Sequence, residues 1–322
     1  MKKILKMIYT ILGAGGTIGE ALKQEFIKRA LPDRTVRMVR RTSSVSNDPI
    51  FENISADILD SKSVNDAVRG SDVVFLVAGL PYKIKTWQTQ WHIVMQNAID
   101  ACAEHGAKLI FFDNVYMYGK VNGMMTEETP FNPCSKKGDV RAHIAQMLLD
   151  AVATKKITGM IARAADFYGP NTPLSMFTAL VVENALKGKS PQALVRTDAK
   201  HSFTFTPDCG RALIDLALDN SAYNQTWHLP TCNPAMTAQE MSDTFLKLIL
   251  SEKNKMQVLS KTVLSILGLF VPILRELKEM LYQYESEYYF DSTKFEKHFG
   301  YGATNYEQGL QQTAAFYKAA KK

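Results

Sequence analysis

Short apolar runs alternate along the first half of the chain with longer segments whose apolar residues recur every three or four positions. The runs have the length of buried strands, and the recurrence between them is that of one helix face. Strands that alternate with helices predict a parallel sheet covered by helices on both faces. The predicted strands are MIYTILG, TVRMVRR, a run before SADILD, DVVFLVAG, AKLIFFDN and GMIARAADFYG.

Four helices are predicted between these strands. One is the short segment DSKSVNDAVRG, for which Ser61 or Ser63 is the expected N-cap. The other three show apolar stripes, which are Ile18, Leu22 and Phe26; Trp87, Trp91, Val94, Ala98 and Cys102; and, from about Asp139, Val140, Ile144, Met147, Leu148 and Ala151. We interpret the two tryptophans as core residues, because their spacing is that of a buried stripe.

The alternation weakens beyond GPNTP, residues 169–173. Helical patterns dominate from there, while HSFTFTPD and QTWHLP return to strand character. We therefore predict an α/β fold with a Rossmann-type doubly wound parallel sheet in residues 1–170 and return segments near 201–228. A smaller, mainly helical substrate lobe is expected in residues 171–322.

Composition narrows the classes of partner. The 322 residues are 46% hydrophobic and 22% charged, and the net charge of +6 is dispersed in short clusters, so no nucleic-acid partner is expected. The four cysteines form no CxxC pair and no metal-ligand spacing, which favours a cytoplasmic protein without a metal site. The most apolar stretch, VLSILGLFVPILREL (263–277), is too short for a membrane span and contains Pro272, so no membrane partner is predicted.

The segment GAGGTIG lies between the first predicted strand and helix. It places Gly13, Gly16 and Gly19 three residues apart. Glycines allow a tight turn and a close approach of backbone to a pyrophosphate, and the helix N-terminus attracts the anion. This context predicts a dinucleotide site, whereas a glycine-rich turn that binds nothing is the structural alternative.

The end of the second predicted strand indicates which nicotinamide cofactor binds. It reads MVRRTSS, with no acidic residue, so Arg40 and Arg41 with Ser43 suit a 2′-phosphate and favour NADP over NAD. The alternative is that one arginine lies on the surface while adenine stacks on the other. Asp57 is a candidate for the adenine amino group, or else a cap of a turn.

Together these segments resemble the extended short-chain dehydrogenase/reductase family, in its nucleotide-sugar epimerase/dehydratase branch. The resemblance also rests on ADILD, VVFLVAG, NAIDACAEHGAKLIFFDNVYMYG, TEETPFNP, ARAADFYGP and HSFTFTPDCGRAL. It implies an NAD- or NADP-binding Rossmann domain and a C-terminal lobe for a substrate that is often a nucleotide-linked sugar. The implied cofactor contacts are Gly13, Gly16, Thr17, Ile18 and Gly19 at the pyrophosphate, Asp57 and Ile58 at the adenine, and Ala78, Gly79 and Leu80 at the nicotinamide ribose.

The family's chemistry uses a tyrosine as acid or base, a lysine four residues later, and a serine or threonine that orients the substrate. The sequence departs from all three. Asn114 stands where the hydroxyl residue is expected, Cys134 at the tyrosine and Gly138 at the lysine.

Three explanations are open. In the first, the relay is displaced: Lys137 or Lys136 supplies the ammonium, Tyr116 or Tyr118 the phenol and Asn114 a hydrogen bond. We select Asn114, Tyr116 and Lys137 as the catalytic set. In the second, the protein senses its cofactor without turnover. In the third, another proton donor acts, for which the candidates are His143, Asp113, Cys134 and Asp166, each with a structural alternative such as pairing of Asp166 with Arg163.

The substrate signal is weaker. His201 stands where relatives often carry an arginine for the substrate diphosphate, and Asp166 and Arg275 complete the predicted substrate residues. The stretch around Arg275 is a lid over a less polar substrate, half of a dimer interface, or internal packing. We predict an NAD(P)-dependent oxidoreductase or epimerase acting on a hydroxyl or carbonyl carbon of a nucleotide sugar or a less polar small molecule. The alternative is a non-catalytic NAD(P)-responsive regulator, and a homodimer through the helices beginning near Thr86 and Asp139 is compatible with the resemblance.

Overall fold

The computed structural model describes residues 6–31, 33–42, 48–251 and 255–320. The chain forms two compact units. The sheet unit comprises residues 1–113, 139–163 and 209–227, and the lobe unit comprises 114–138, 164–208 and 228–322. Ser43 lies outside the described residues.

The strands are short, and only the first five and the seventh exceed three residues. In chain order they are β1 Met7–Leu12, β2 Arg34–Arg40, β3 Phe51–Ser55, β4 Val73–Leu76, β5 Lys108–Asp113, β6 Met124–Met125, β7 Gly159–Arg163, β8 Asp166–Tyr168, β9 Gln192–Leu194, β10 Lys200–His201, β11 Phe203–Phe205, β12 Thr226–His228, β13 Met236–Thr237, β14 Gln257–Leu259 and β15 Tyr289–Phe290.

The α-helices follow the same order. They are α1 Thr17–Arg29, α2 Ser61–Val68, α3 Ile84–His105, α4 Lys136–Ala153, α5 Glu183–Leu186, α6 Thr206–Leu218, α7 Ala238–Leu248, α8 Lys261–Leu267, α9 Pro272–Leu277, α10 Thr293–Phe299 and α11 Tyr306–Ala320. Tyr116–Tyr118, Asn220–Ala222 and Lys278–Tyr284 form 3-10 turns, and Thr178–Val182 is a π-helical turn.

A seven-stranded sheet has the order β12-β7-β5-β4-β1-β2-β3. The pairings from β7 to β3 are parallel; in the centre, Leu12 of β1 is in register with Val39 of β2 and Leu76 of β4. The strand order reverses between β1 and β4, and ligands of doubly wound sheets bind outside the carboxyl ends of the strands at such a point. The predicted doubly wound parallel sheet is confirmed.

The predicted helical stripes account for the packing of the sheet unit. Leu22 and Phe26 of α1 have no exposed surface, and Trp87 and Trp91 of α3 are 5% and 2% exposed. The two indoles meet edge to face at 6.1 Å, which confirms that they are core residues. The predicted N-cap of α2 was wrong: Asp60 precedes the helix and accepts a hydrogen bond from the backbone N–H of Ser63 at 2.6 Å.

The predicted strand GMIARAADFYG is two strands. β7 belongs to the large sheet, whereas β8 pairs with β11 in the lobe unit. Between them the backbone N–H of Ala165 donates to Thr204 Oγ1 at 3.0 Å, so this residue is bonded to a side chain beside β11 and does not extend β7.

The lobe unit packs helices and small two-stranded sheets around its own core. Its largest cluster joins Tyr168, Phe177, Phe205, Phe245, Tyr306 and Leu310, all at most 6% exposed. Gly309 of α11 lies against Tyr168 so closely that a Cβ would overlap the phenol ring. Among the described residues, no helix is both long and apolar enough to cross a bilayer.

Candidate active site

The glycine loop joins β1 to α1 in the sheet unit. Gly13 has φ +100°, and a Cβ there would collide with the backbone of Ala78 after β4. A Cβ on Gly19 would lie 2.6 Å from Cα of Ala14. Two of the three motif glycines are therefore required because neighbouring backbone occupies the space of a side chain.

The rest of the loop leaves room for a ligand. A Cβ on Gly16 would meet nothing closer than 3.5 Å, and on Gly15 nothing closer than 4.0 Å. Gly16 is the N-cap of α1, and no side chain caps that end. Backbone N–H groups at an uncapped helix N-terminus bind phosphate oxygens. The loop thus fits the pyrophosphate of a dinucleotide, with Thr17 and Ile18 in the first turn.

Arg40 lies beside this loop, since its Cδ is the atom nearest to a Cβ built on Gly15. Its guanidinium donates to Asn53 Oδ1 at 3.3 Å. Arg41 is exposed, and its carbonyl accepts a hydrogen bond from Ser55 at 2.8 Å. Both arginines therefore stand at the carboxyl end of β2, where the 2′ position of the adenine ribose is recognised in this fold.

The predicted adenine and ribose contacts follow β3 and β4. Asp57 is exposed and its carboxylate accepts from the backbone N–H of Leu59 at 3.0 Å, which is the turn-capping role named as its alternative. The carbonyl of Ile58 accepts from Asn97 Nδ2 at 3.0 Å. The stretch Ala78, Gly79 and Leu80 is half-buried or exposed directly after β4.

Asp113 is a structural residue in this arrangement. Its Oδ1 accepts from both Nε and Nη2 of Arg141, and its Oδ2 lies 3.7 Å from Arg163 Nε. All three side chains are at most 5% exposed, and Arg141 also stacks 4.6 Å from the Trp91 ring centre. Arg163 thus pairs with Asp113, and the predicted alternative of an Arg163–Asp166 pair was wrong.

The segment 114–118 holds the predicted hydroxyl and phenol positions. Asn114 Oδ1 accepts from the backbone N–H of Tyr116 at 3.0 Å and so fixes the 3-10 turn. The phenol of Tyr118 is buried and donates to His228 Nε2 at 2.8 Å, because Nδ1 of that histidine donates to the carbonyl of Asp291. The Tyr118 hydroxyl is therefore used in a buried hydrogen bond. Tyr116, the other tyrosine of this turn, is half-buried.

Lys137 is fully buried at the start of α4. Its ammonium donates to the carbonyl of Glu276 at 3.0 Å, to the Glu276 carboxylate at 2.6 Å and to the Glu279 carboxylate at 2.8 Å. An ammonium has three protons, and these three acceptors match them. Glu279 also accepts from the backbone N–H of Lys136 at 2.7 Å and so caps α4. The predicted action of Lys137 on a ribose stays a prediction.

Cys134 is the residue predicted from sequence to stand at the family's tyrosine position. Cys134 is an exposed residue, but partial burial of its thiol raises the pKa of that thiol. The thiol is therefore protonated at neutral pH. The phenol of Tyr282 lies beside it. Burial, followed by the neighbouring Cys134, Tyr116 and Asp166, raises the pKa of Tyr282. The Tyr282 side chain is 7% exposed. Among the described residues, its hydroxyl has no hydrogen-bond partner of normal geometry.

Sequence reasoning missed Tyr282. The tyrosine-rich stretch MLYQYESEYYF was a signal that phenols collect in this part of the chain. The sequence pattern does not show which of these tyrosines lies beside Cys134. Cys134 is 148 positions earlier in the chain than Tyr282.

The structure brings together two of the three predicted substrate residues. His201 Nε2 lies 3.0 Å from Asp166 Oδ2, which also accepts from the phenol of Tyr284 at 2.8 Å. The imidazole is stacked between Tyr284 and Tyr288, with ring centres 5.1 and 4.8 Å away. His201 is thus held in an aromatic and carboxylate environment and lines a pocket of the lobe unit.

That pocket is partly open to solvent, has a cavity volume of about 50 Å³ and has a mainly apolar lining. It includes Met176, Phe177, Leu180, Leu194, Phe203 and Tyr284. Arg196 contributes a guanidinium, which is paired with Asp198 at 2.7 Å. The predicted substrate residue Arg275 is exposed on α9 and does not line this pocket.

Of the alternative proton donors predicted from sequence, Asp113 and His143 belong to the sheet unit, and Cys134 and Asp166 belong to the lobe unit. His143 is exposed on α4 and, with Trp87 and His92, lines a shallow depression of the sheet unit. Within the described residues, no group of three His, Cys, Asp or Glu side chains is arranged to hold a metal ion.

Known proteins place this geometry in a family. The model of the NAD dependent epimerase/dehydratase family matches residues 9–227, more than half of the chain. A 3beta-hydroxysteroid-dehydrogenase/decarboxylase of Arabidopsis thaliana is 27% identical over 170 residues, which cover 49% of this chain and 29% of that protein. The chain thus matches less than a third of this relative's length. A UDP-N-acetyl-alpha-D-glucosaminuronate decarboxylase of Bacillus cytotoxicus is 25% identical over 223 residues, covering 63% of this chain and 69% of that protein.

Solved structures share the fold along almost the whole chain. The dTDP-glucose 4,6-dehydratase of Bacillus anthracis in complex with NAD superposes with a TM-score of 0.80 at 18% identity and covers 97% of each chain. The UDP-glucuronic acid 4-epimerase of Bacillus cereus in complex with NAD gives the same TM-score and identity over 98% of this chain and 100% of the other. With its glycine loop and its parallel sheet, this chain belongs to the NAD dependent epimerase/dehydratase family and is an enzyme with an NAD(P)-binding Rossmann fold.

Proposed function

We propose that the protein is an NAD(P)-dependent oxidoreductase or epimerase that acts on a hydroxyl or carbonyl carbon of a small molecule with an apolar part. The observation that carries the proposal is the glycine loop. Gly13 and Gly19 are required by their contacts, while Gly15 and Gly16 leave the uncapped N-terminus of α1 open to a phosphate. When bound, NAD(P) supplies or takes the hydride.

NADP is the proposed cofactor. Arg40 stands next to the glycine loop and Arg41 is exposed at the same strand end, so two guanidinium groups lie at the strand end where a 2′-phosphate is recognised in this fold. Among the described residues 33–42 of β2 and its end, only Asp33 carries a carboxylate, and it precedes the strand. NAD is bound by the similar solved structures, and it is the competing cofactor.

Proton transfer is assigned to the phenols of Tyr282 and Tyr116. They are mutual neighbours in the lobe unit, and Tyr282 lies beside Cys134, at the position where the family has its tyrosine. Burial raises the pKa of Tyr282, which makes the phenol a weaker acid, so the assignment rests on its place beside Cys134 and not on its acidity. Asn114 holds the turn that carries Tyr116, and Lys137 with Glu276 and Glu279 anchors the start of α4.

The pocket of the lobe unit supports a less polar substrate. Its walls are aliphatic and aromatic, and His201 replaces the arginine expected for a diphosphate. The imidazole is occupied by Asp166 and two stacked tyrosines, which leaves it a poor partner for a pyrophosphate. The curated relatives include both a hydroxysteroid dehydrogenase/decarboxylase and a nucleotide-sugar decarboxylase, so both substrate classes belong in the test.

The test begins with calorimetric titration of NADP and NAD into the purified protein. Two substrate panels follow, nucleotide sugars and lipophilic secondary alcohols or ketones, with nicotinamide absorbance and product chromatography as readouts. We expect binding of NADP and turnover in the lipophilic panel. Absence of binding of both cofactors would refute the proposal, and binding without turnover in either panel would favour the non-catalytic alternative.

Two further expectations belong to this proposal. Four free thiols suit a reducing compartment, which supports a cytoplasmic location. A homodimer through α3 and α4 is checked by sedimentation velocity of the wild type.

A further inference from the structure

The hairpin formed by α8 and α9 exposes an unusual amount of apolar surface. Seven large apolar side chains between residues 263 and 273 are 38–80% exposed, and Leu269 and Phe270 at the turn reach 75% and 80%. The seven, which we call the hairpin tip, are Val263, Ile266, Leu267, Leu269, Phe270, Val271 and Ile273. A contiguous apolar surface of this kind marks an interaction site.

Packing within the lobe unit accounts for the other side of the hairpin. Leu264 is 3% exposed and packs with Leu194 and Leu281, and Leu274 packs against the same cluster. Both helices are therefore apolar on two sides, and only the inner side is buried. A helix surface that is apolar beyond its packed stripe needs a second apolar environment.

The backbone N–H groups at the tip are hydrogen-bonded within the turn. The N–H groups of Gly268, Leu269, Phe270 and Val271 donate to carbonyls of residues 264–267 at 2.8–3.1 Å, and Pro272 has no N–H. Unsatisfied backbone donors are what excludes most turns from a lipid environment. The N–H groups of this turn therefore stay hydrogen-bonded when lipid replaces the surrounding water.

Charge distinguishes the possible occupants of this surface. Residues 262–274 contain no charged side chain. Lys261, Arg275 and Lys278 border them and are exposed, and Lys261 is paired with Glu285 at 2.6 Å, which leaves Arg275 and Lys278 as the cations of the border. The nearby carboxylates of Glu276 and Glu279 are bonded to the buried Lys137. The border is therefore basic. It repels the same border of a second copy in a two-fold pairing, and it attracts anionic lipid headgroups.

We propose that the hairpin tip inserts into the interface of a membrane containing anionic phospholipid, with Arg275 and Lys278 at the headgroups. The contact is peripheral, and it revises the expectation from sequence that no membrane is involved. The cluster behind the tip includes Met176, Leu180 and Leu194, which also line the apolar pocket. The pocket and the tip thus share a wall, which suits transfer of a lipophilic substrate from the bilayer; this last step rests on the proposed function.

The experiment is co-sedimentation of the full chain with vesicles of phosphatidylcholine and phosphatidylglycerol, and with phosphatidylcholine alone. Replacing Leu269 and Phe270 by serine should lower binding to the anionic vesicles about tenfold or more. The matched control replaces Leu174 and Leu250 by serine, which are 91% and 87% exposed elsewhere in the lobe unit, and should bind like the wild type. Arg275→Gln with Lys278→Gln should remove most of the preference for anionic vesicles, about fivefold for each charge at low salt.

Three results would overturn the proposal. They are absence of wild-type binding to anionic vesicles, equal binding by the tip variant, and a wild-type dimer that the tip variant dissociates without any vesicle binding. Titration of NADP in the same preparations keeps the proposed function separate, because the glycine loop lies in the sheet unit and the tip in the lobe unit.

Discussion

The glycine loop of the sheet unit and the segment 114–138 of the lobe unit hold different parts of the family's chemistry. In the loop, backbone geometry determines every essential position: Gly13 and Gly19 have no room for a side chain. In the segment, the family's chemistry depends on side chains, and Asn114, Cys134 and Gly138 are the residues predicted from sequence to stand at the three positions.

The comparison shows which features tolerate change. A pyrophosphate site made of N–H groups depends on the fold, so it persists as long as the strand, turn and helix do. A proton relay depends on individual side chains, and other parts of the chain can supply them. Around segment 114–138, residues 276–282 contribute two carboxylates and a phenol.

The largest expected effect tests the loop. Gly13→Ala should lower the stability of the protein by roughly 4 kcal/mol, because the residue is left-handed and its Cβ would meet the backbone of Ala78. Thermal unfolding is the measurement, with the shift in melting temperature on adding NADP as a second readout. We expect a fall of about 10 °C or more and loss of the NADP shift.

Gly15→Ala is the matched control in the same loop. A methyl group there meets only Arg40 Cδ at 4.0 Å, so the melting temperature of the free protein should stay close to that of the wild type. Equal stability losses for the two variants would contradict the distinction between glycines that the fold requires and those that leave room for a ligand.

The next effect separates an ion-pair role of Lys137 from a catalytic one. Lys137→Met leaves two carboxylates without their ammonium and should lower the free energy of unfolding by about 3 kcal/mol. This is the low end for a buried ion pair, because both glutamates keep about a fifth of their side-chain surface exposed. Lys136→Met, at the exposed neighbour, is the control and should leave stability unchanged. A Lys137→Met protein that melts like the wild type yet loses turnover would instead support the relay predicted from sequence.

Local patterns made the sheet unit predictable. The stripe of α1, the tryptophans of α3 and the glycine loop each depend on residues within a few positions of one another, and all were recognised from spacing. The N-cap of α2 was predicted at Ser61 or Ser63, one or three residues late, because aspartate and serine are both good caps and only the backbone decides between them.

The relay region was not predictable in the same way. The partners of Lys137 lie 139 and 142 residues further along the chain, and Tyr282 lies 148 residues beyond its neighbour Cys134. No periodicity connects such positions. The split of GMIARAADFYG into β7 and β8 has the same origin, since β8 pairs with β11, 37 positions away in register.

A smaller effect tests the phenol that sequence reasoning missed. Tyr282→Phe should lower kcat about 10- to 100-fold on a substrate found in the panels, with unchanged NADP affinity, because only a proton donor is removed. Tyr289→Phe, at a half-buried tyrosine on β15, is the control. Since the pKa of Tyr282 is raised, the wild type should keep the activity that needs this donor between pH 7 and 9. A full-rate Tyr282→Phe enzyme would reassign the donor to Tyr116.

The smallest effect sharpens the comparison within the proposed cofactor site. Backbone N–H groups would contact the pyrophosphate of NAD and NADP alike, so side chains must discriminate between the two cofactors. Arg40→Ala should weaken NADP relative to NAD by about fivefold to tenfold, the loss of one charge-assisted phosphate contact. Arg41→Ala should do less, since that side chain is exposed and water screens its charge. Calorimetric titration of both cofactors into each variant gives the ratios. If neither arginine changes the ratio, selectivity lies elsewhere, and only the pyrophosphate half of the site is correctly assigned.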